Sequence, residues 1–129
     1  MKISIDDLDE VVNHYTMAAL WSSVDDDQTP LDDDRYENRL AIETQAQFRD
    51  DCEKFIRLVE HLNLAPYDRA MSCSLSAGVG HDLWLTRNGH GAGFWDRSDH
   101  PVVDTLTGYA HSMGEFSLYV GDDGLIYGN

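Results

Sequence analysis

Basic residues are scarce in this sequence: nine Lys and Arg stand against 24 Asp and Glu, a formal net charge of −15 with histidines neutral. That shortage argues against a free-standing DNA or RNA binder, which needs cationic patches to neutralise phosphates, and against docking on anionic lipid. Cysteine is nearly absent. Cys52 and Cys73 are too few for a disulfide framework and too far apart for a CxxC metal or redox motif. The start, MKISIDDLDE, lacks the apolar centre of a signal peptide, and no run approaches about 18 apolar residues, so no membrane partner is expected. What remains is a chain of 129 residues, 42% hydrophobic and 10% aromatic, which reads as one soluble, intracellular domain over 1–129.

The periodicity predicts a first helix from about Ser4 to Ser23. Ser4 and Asp7 approximate a capping box, and Leu8, Val11, Val12, Tyr15, Ala18 and Ala19 recur at helical spacing. VDDDQTPLDDDRYEN, about 24–38, carries six aspartates in ten residues and no apolar period, so it reads as a solvated loop. A second helix runs from about Ile42 to His61, with Phe48, Cys52, Phe55, Ile56 and Val59 on its core face and Asn63 and Pro66 ending it. From Gly78 to Gly93 five glycines argue against a helix. His81 to Thr86 reads as a strand, Asn88-Gly89 as a hairpin turn, and Gly91 to Trp95 as the returning strand. Pro101 starts a third helix that Gly114 stops, with Val102 or Val103, Leu106, Tyr109, Ala110 and Met113 as its stripe. A closing hairpin pairs Phe116 to Val120 with Leu125 to Tyr127. The expected class is α+β in the order ααββαββ, a small antiparallel sheet with helices packed on one face.

Three constellations bear on function. The acids of the first half include Asp6, Asp7, Asp9 and Glu10, then Asp25, Asp26, Asp27, Asp32, Asp33 and Asp34, then Asp50, Asp51 and Glu53. Acids three or four apart on a helix lie about 5–6 Å from one another, near the spacing of successive phosphates. They form either a nucleic-acid mimic or a solvated surface that aids solubility. The second constellation is GHDLWLTRNGHGAGFWDR, residues 80–97. Strand alternation sends Leu83 and Leu85 to the core and leaves Trp84 and Trp95 near the open face, where aromatics mark recognition. His81, Asp82, His90 and Asp96 are the candidate proton-transfer groups if they fold close together. Alternatively the glycines shape a turn and the polar side chains satisfy the core. The third is metal binding. His14, His61, His81, His90, His100 and His111 have no H-x3-H or HExxH spacing, and Asp25-x-Asp27-x-Thr29 lacks the glycine and closing glutamate of a calcium loop. No metal and no cofactor are expected.

ALWSSVDDDQTPLDDD, GHDLWLTRNGHGAGFWDR and GEFSLYVGDDGLIYGN resemble three blocks of a family of small proteins from bacteriophages and mobile elements. The segment from Pro66 to Gly80 departs from that pattern. The resemblance implies no catalytic residues; it implies a setting, the cytoplasm of a bacterial host during phage or element propagation.

The leading expectation is an interaction protein whose acidic surface engages the basic, nucleic-acid-binding site of a host or defence protein. It would bind no nucleic acid directly. The enzyme alternative is a small hydrolase using His81, Asp82, His90 and Asp96. A third reading is a homo-oligomer joined through the Trp-bearing sheet face. A binding site is expected at Trp84, Arg87, Asn88, His90, Trp95 and Arg97 rather than in the aspartate loop. Arg87 is there expected to be either part of the site or paired with Asp82 or Asp96.

Overall fold

Ser4 starts the chain's first helical element in the way its spacing predicts. Its side chain accepts the Asp6 amide, and the Asp7 carboxylate accepts the Ser4 amide at 2.9 Å. A 3-10 turn, Ile5–Asp7, leads into α1, Leu8–Ser22. In the computed structural model, which describes residues 1–68 and 72–129, the other helices are α2 (Ile42–Val59), α3 (Ala65–Asp68), α4 (Leu75–Arg87) and α5 (Pro101–Ser112). Two strands, β1 (Leu118–Val120) and β2 (Ile126–Gly128), close the chain as an antiparallel hairpin with Tyr119 opposite Tyr127. The protein is therefore α+β with a dominant helical part and a two-stranded sheet. No helix among the described residues is long and apolar enough to cross a membrane.

The expected order ααββαββ is not the observed one. Residues 81–86 are not a strand; they lie in α4, and Gly91–Trp95 forms no returning strand but an irregular bend followed by a 3-10 turn at Phe94–Asp96. Packing explains the difference. Every α4 residue from Ser76 to Arg87 except His81 is buried, so the helix has no polar face and loses the amphipathic period that marks a helix. Alternating Leu83, Trp84 and Leu85 then imitates a strand. Ser74 caps the helix by accepting the Ala77 amide, and Asn88 with Gly89 at φ +67° ends it, so the Asn-Gly pair is a helix terminus and not a hairpin turn. Pro66, expected to end α2, lies inside α3.

Gly80 has a packing role. A Cβ there would stand 2.3 Å from the Val11 carbonyl oxygen and 2.8 Å from the Tyr15 amide nitrogen, so only glycine lets α4 approach α1 this closely. The α1–α4 pair is the most extensive contact between elements, and the core lies chiefly between helices rather than beneath a sheet. Trp84 fills its centre, edge-on to Tyr15 (ring centroids 5.3 Å apart) and Phe48 (5.6 Å). The α2 face carries Phe48, Cys52, Phe55, Ile56 and Val59 inward as its periodicity predicts. Phe55 stacks on Phe94 at 5.5 Å.

Candidate functional site

The residues singled out in 80–97 divide between the core and two separate surfaces. Asp82 is wholly buried and held on both oxygens. Arg97 donates from Nε to Oδ2 at 3.0 Å and from Nη2 to Oδ1 at 2.8 Å, and the Tyr67 hydroxyl donates to Oδ2 at 2.6 Å. The hydrogen bonds it donates to Asp82 hold the Arg97 guanidinium above its ordinary value, and burial with the Asp82 carboxylate alongside pushes the Tyr67 phenol well up. This triad joins α3, α4 and the segment before α5.

Arg87 forms a second buried centre. Its Nη1 donates to Asp51 Oδ2 at 2.8 Å and to the Tyr15 hydroxyl at 2.9 Å. Its Nε and Nη2 donate to the carbonyls of Gly114 and Met113, and its guanidinium lies 5.8 Å from the Phe116 ring centre. Burial pulls this guanidinium down, and Tyr15 and Asp51 more than offset it, so the charged form is held. The expected partners of Arg87, Asp82 or Asp96, are thus not its partners: Asp51 is, and Asp82 belongs to Arg97. Asp51 also leaves the set of acids expected on the surface.

The side chains named for catalysis are not brought together. His81, half-buried, lines a groove of about 370 Å³ with His14, Met17, Trp21 and Asp32. His90 is exposed on a different groove, beside Asn88 and Glu115. Asp96 is exposed and among the described residues accepts only the Gly93 amide, at 3.4 Å. Asp82 offers no unoccupied oxygen to any of them.

Of the aromatics expected on an open sheet face, Trp95 is 49% exposed, whereas Trp84 is 1% exposed and donates from Nε1 to Ser22 Oγ at 2.8 Å. The Trp-bearing sheet face does not form. Asn88 bonds inward: its amide donates to the Trp84 carbonyl, and its side-chain oxygen accepts the Phe116 amide at 2.8 Å.

Trp21 lies outside the residues that the sequence singles out. It is 59% exposed at the end of α1. Its signal is His14, Met17 and Trp21 at helical spacing, a second stripe on α1 beside the core stripe.

The aspartate loop, expected to be merely solvated, is folded. Leu31 is buried beneath it, and Val24 bridges Pro30 through the bonds Leu31 N–H to Ser23 O and Asp25 N–H to Thr29 O, both 2.9 Å. Asp25 Oδ1 accepts the amides of Asp27 and Thr29, and Oδ2 accepts the Tyr36 hydroxyl at 2.5 Å. The Tyr36 bond, with those amides, holds the Asp25 carboxyl below its ordinary value. Asp33 caps the 3-10 turn Asp34–Tyr36 and pairs with Arg35. Asp25 and Asp33 therefore fix the loop, while Asp26, Asp27, Asp32 and Asp34 present exposed carboxylates from it.

Against this folded acidic margin runs a groove of about 520 Å³, lined by Val24, Asp25, Asp26, Asp27, Tyr36 and all three residues of β1. Burial pushes the thiol of Cys52 up and leaves it an inert core side chain. No protein-family model, curated protein or solved structure matches this chain.

Proposed function

We propose that this chain is a small acidic interaction protein of the bacteriophage or mobile-element kind, acting in a bacterial cell. It occupies the basic, nucleic-acid-binding surface of a host or defence protein. The observation that carries this reading is where the cations go. Arg87 and Arg97 are spent on Asp51 and Asp82, which leaves 22 of the 24 acids against 7 of the 9 bases for the remainder of the chain. Much of the remaining charge is displayed from structured positions: Asp6 and Glu10 at the start of α1, Asp26, Asp27, Asp32 and Asp34 on the anchored loop, and Asp50 on α2, while Asp9 is paired with Arg49 at 2.8 Å. Carboxylates held in place lose less freedom on binding than the same charges on a loose loop. They also repel nucleic acid itself, so the partner is a protein of opposite sign.

The test is capture from bacterial lysate at low salt, with the retained proteins then challenged by salt and by duplex DNA. The expected result is a nucleic-acid-binding protein that duplex DNA displaces and whose affinity falls steeply with ionic strength. Recovery of no such protein, or of one that DNA fails to displace, ends the reading.

A further inference from the structure

The open edge of the C-terminal hairpin faces the acidic groove. In the ladder, Ser117 and Asn129 exchange both backbone bonds, and Gly121 N–H donates to Leu125 O at 2.8 Å. Antiparallel pairing alternates, so Ser117, Tyr119 and Gly121 point their amides and carbonyls at β2, whereas Leu118 and Val120 point theirs outward. Neither residue has another backbone or side-chain partner among the described residues. The far edge of β2 is covered, because Ile126 exchanges bonds with Arg39 and Ala41. The edge of β1 is therefore the open one.

The groove of about 520 Å³ lies along this edge. All three consecutive β1 residues line it and no β2 residue does, which distinguishes an edge from a face. Its other margin is Val24, whose flanking residues Ser23 and Asp25 make the bonds to Leu31 and Thr29. Val24's own amide and carbonyl are consequently turned away from Pro30. Its size falls within the range of about 300–1,000 Å³ typical of binding clefts. Asp25, Asp26 and Asp27 form one wall, and the side chains of Asp26 and Asp27 make no hydrogen bond or ion pair among the described residues. Exposed strand edges bind extended peptides by adding a strand, with backbone bonds supplying affinity and side-chain alternation supplying choice.

We infer that this groove accepts an extended, basic peptide segment as an added strand on β1, with its cationic side chains directed at Asp26 and Asp27. The inference rests on reading the acidic surface as a docking surface and names what enters it: an extended segment of the partner, not a folded face.

The probe is a capped peptide in which lysine and threonine alternate, compared with the same peptide N-methylated at alternate residues. N-methylation keeps the charge and removes the amide donors a strand needs. The plain peptide is expected to bind in low-salt calorimetry, and the N-methylated one to bind at least about tenfold more weakly. Val120→Pro removes one outward donor without touching a ladder bond and is expected to weaken binding about tenfold. Asp26→Asn with Asp27→Asn is expected to weaken binding and flatten its salt dependence, and guards against a proline variant that fails to fold. Equal binding of the two peptides, or no binding of the plain one, overturns the inference. Capture of a DNA-displaceable partner that is indifferent to Val120→Pro in a chain with unchanged melting also overturns it, while leaving the proposed function standing. Peptide binding without any such partner would do the reverse.

Discussion

Arg87 on α4 meets Asp51 on α2 at 2.8 Å, with the two side chains only 5% and 7% exposed. A pair so placed is costly to break from one side, because the partner left behind is an uncompensated charge in the core. Arg87→Leu is expected to lower the unfolding free energy by about 3–5 kcal/mol in urea titration. Adding Asp51→Leu to it should recover part of that loss. A single variant within about 1 kcal/mol of the parent would show that Asp51 finds solvent or another donor.

Trp84 and Trp95 are expected to behave as opposites. Trp84→Ala opens a cavity between Tyr15, Phe48 and Ser22 and should cost about 3–5 kcal/mol. Trp95→Ala, at an exposed position on a 3-10 turn, should change stability by no more than about 0.5 kcal/mol. Equal effects in thermal melts would contradict the helical placement of residue 84.

Gly80→Ala places a methyl against the backbone of Val11 and Tyr15, which has no flexible end to swing aside. The two helices must part, and the expected loss is about 1–3 kcal/mol, the range for overpacking. Elsewhere in a helix the same change would stabilise by about 1 kcal/mol, so the sign alone is diagnostic.

Acid should loosen the aspartate loop through Asp25. Its carboxyl is held below the ordinary 3.8 chiefly by the Tyr36 hydroxyl. A group depressed on folding contributes above its unfolded value, and that contribution is lost as pH falls through the folded one. Tyr36→Phe is expected to raise the Asp25 titration midpoint toward 3.8 in carboxyl-resolved NMR, and to leave the loop less protected above that pH. An unchanged midpoint would mean that the amides of Asp27 and Thr29 suffice.

The elements legible in the sequence are those with one wet face. α2 alternates Phe48, Cys52, Phe55 and Val59 with charged positions, and α5 lies between Pro101 and Gly114, so each is found from pattern and punctuation. The closing hairpin is legible because Gly121 to Gly124 is a turn that no helix would contain. α4 was hidden because burial on every side erases its period, and because Asn-Gly ends a helix as readily as it turns a hairpin. The core ion pairs join residues 36 and 15 apart, beyond the reach of local pattern. One clue did exist for Asp51, an acid within the stripe Phe48, Cys52 and Phe55, where an unpaired carboxylate would be untenable. The β1 groove had no local signal, since its two margins come from opposite ends of the chain.

The close seating of α4 on α1 also sets an order of events during synthesis. α1 ends at Ser22 and its main partner ends at Arg87, so the ribosome must add 65 further residues before the pair can meet. At about 5–20 residues per second that interval is about 3–13 s. For most of it the apolar stripe of α1 has no Gly80 to lie against, and until its end Tyr15 has no guanidinium to bond. The nascent amino-terminal half therefore emerges as an acidic, self-repelling chain with one uncovered greasy helix face. The same negative charge that would attract a basic partner in the finished protein keeps such half-made chains apart from one another.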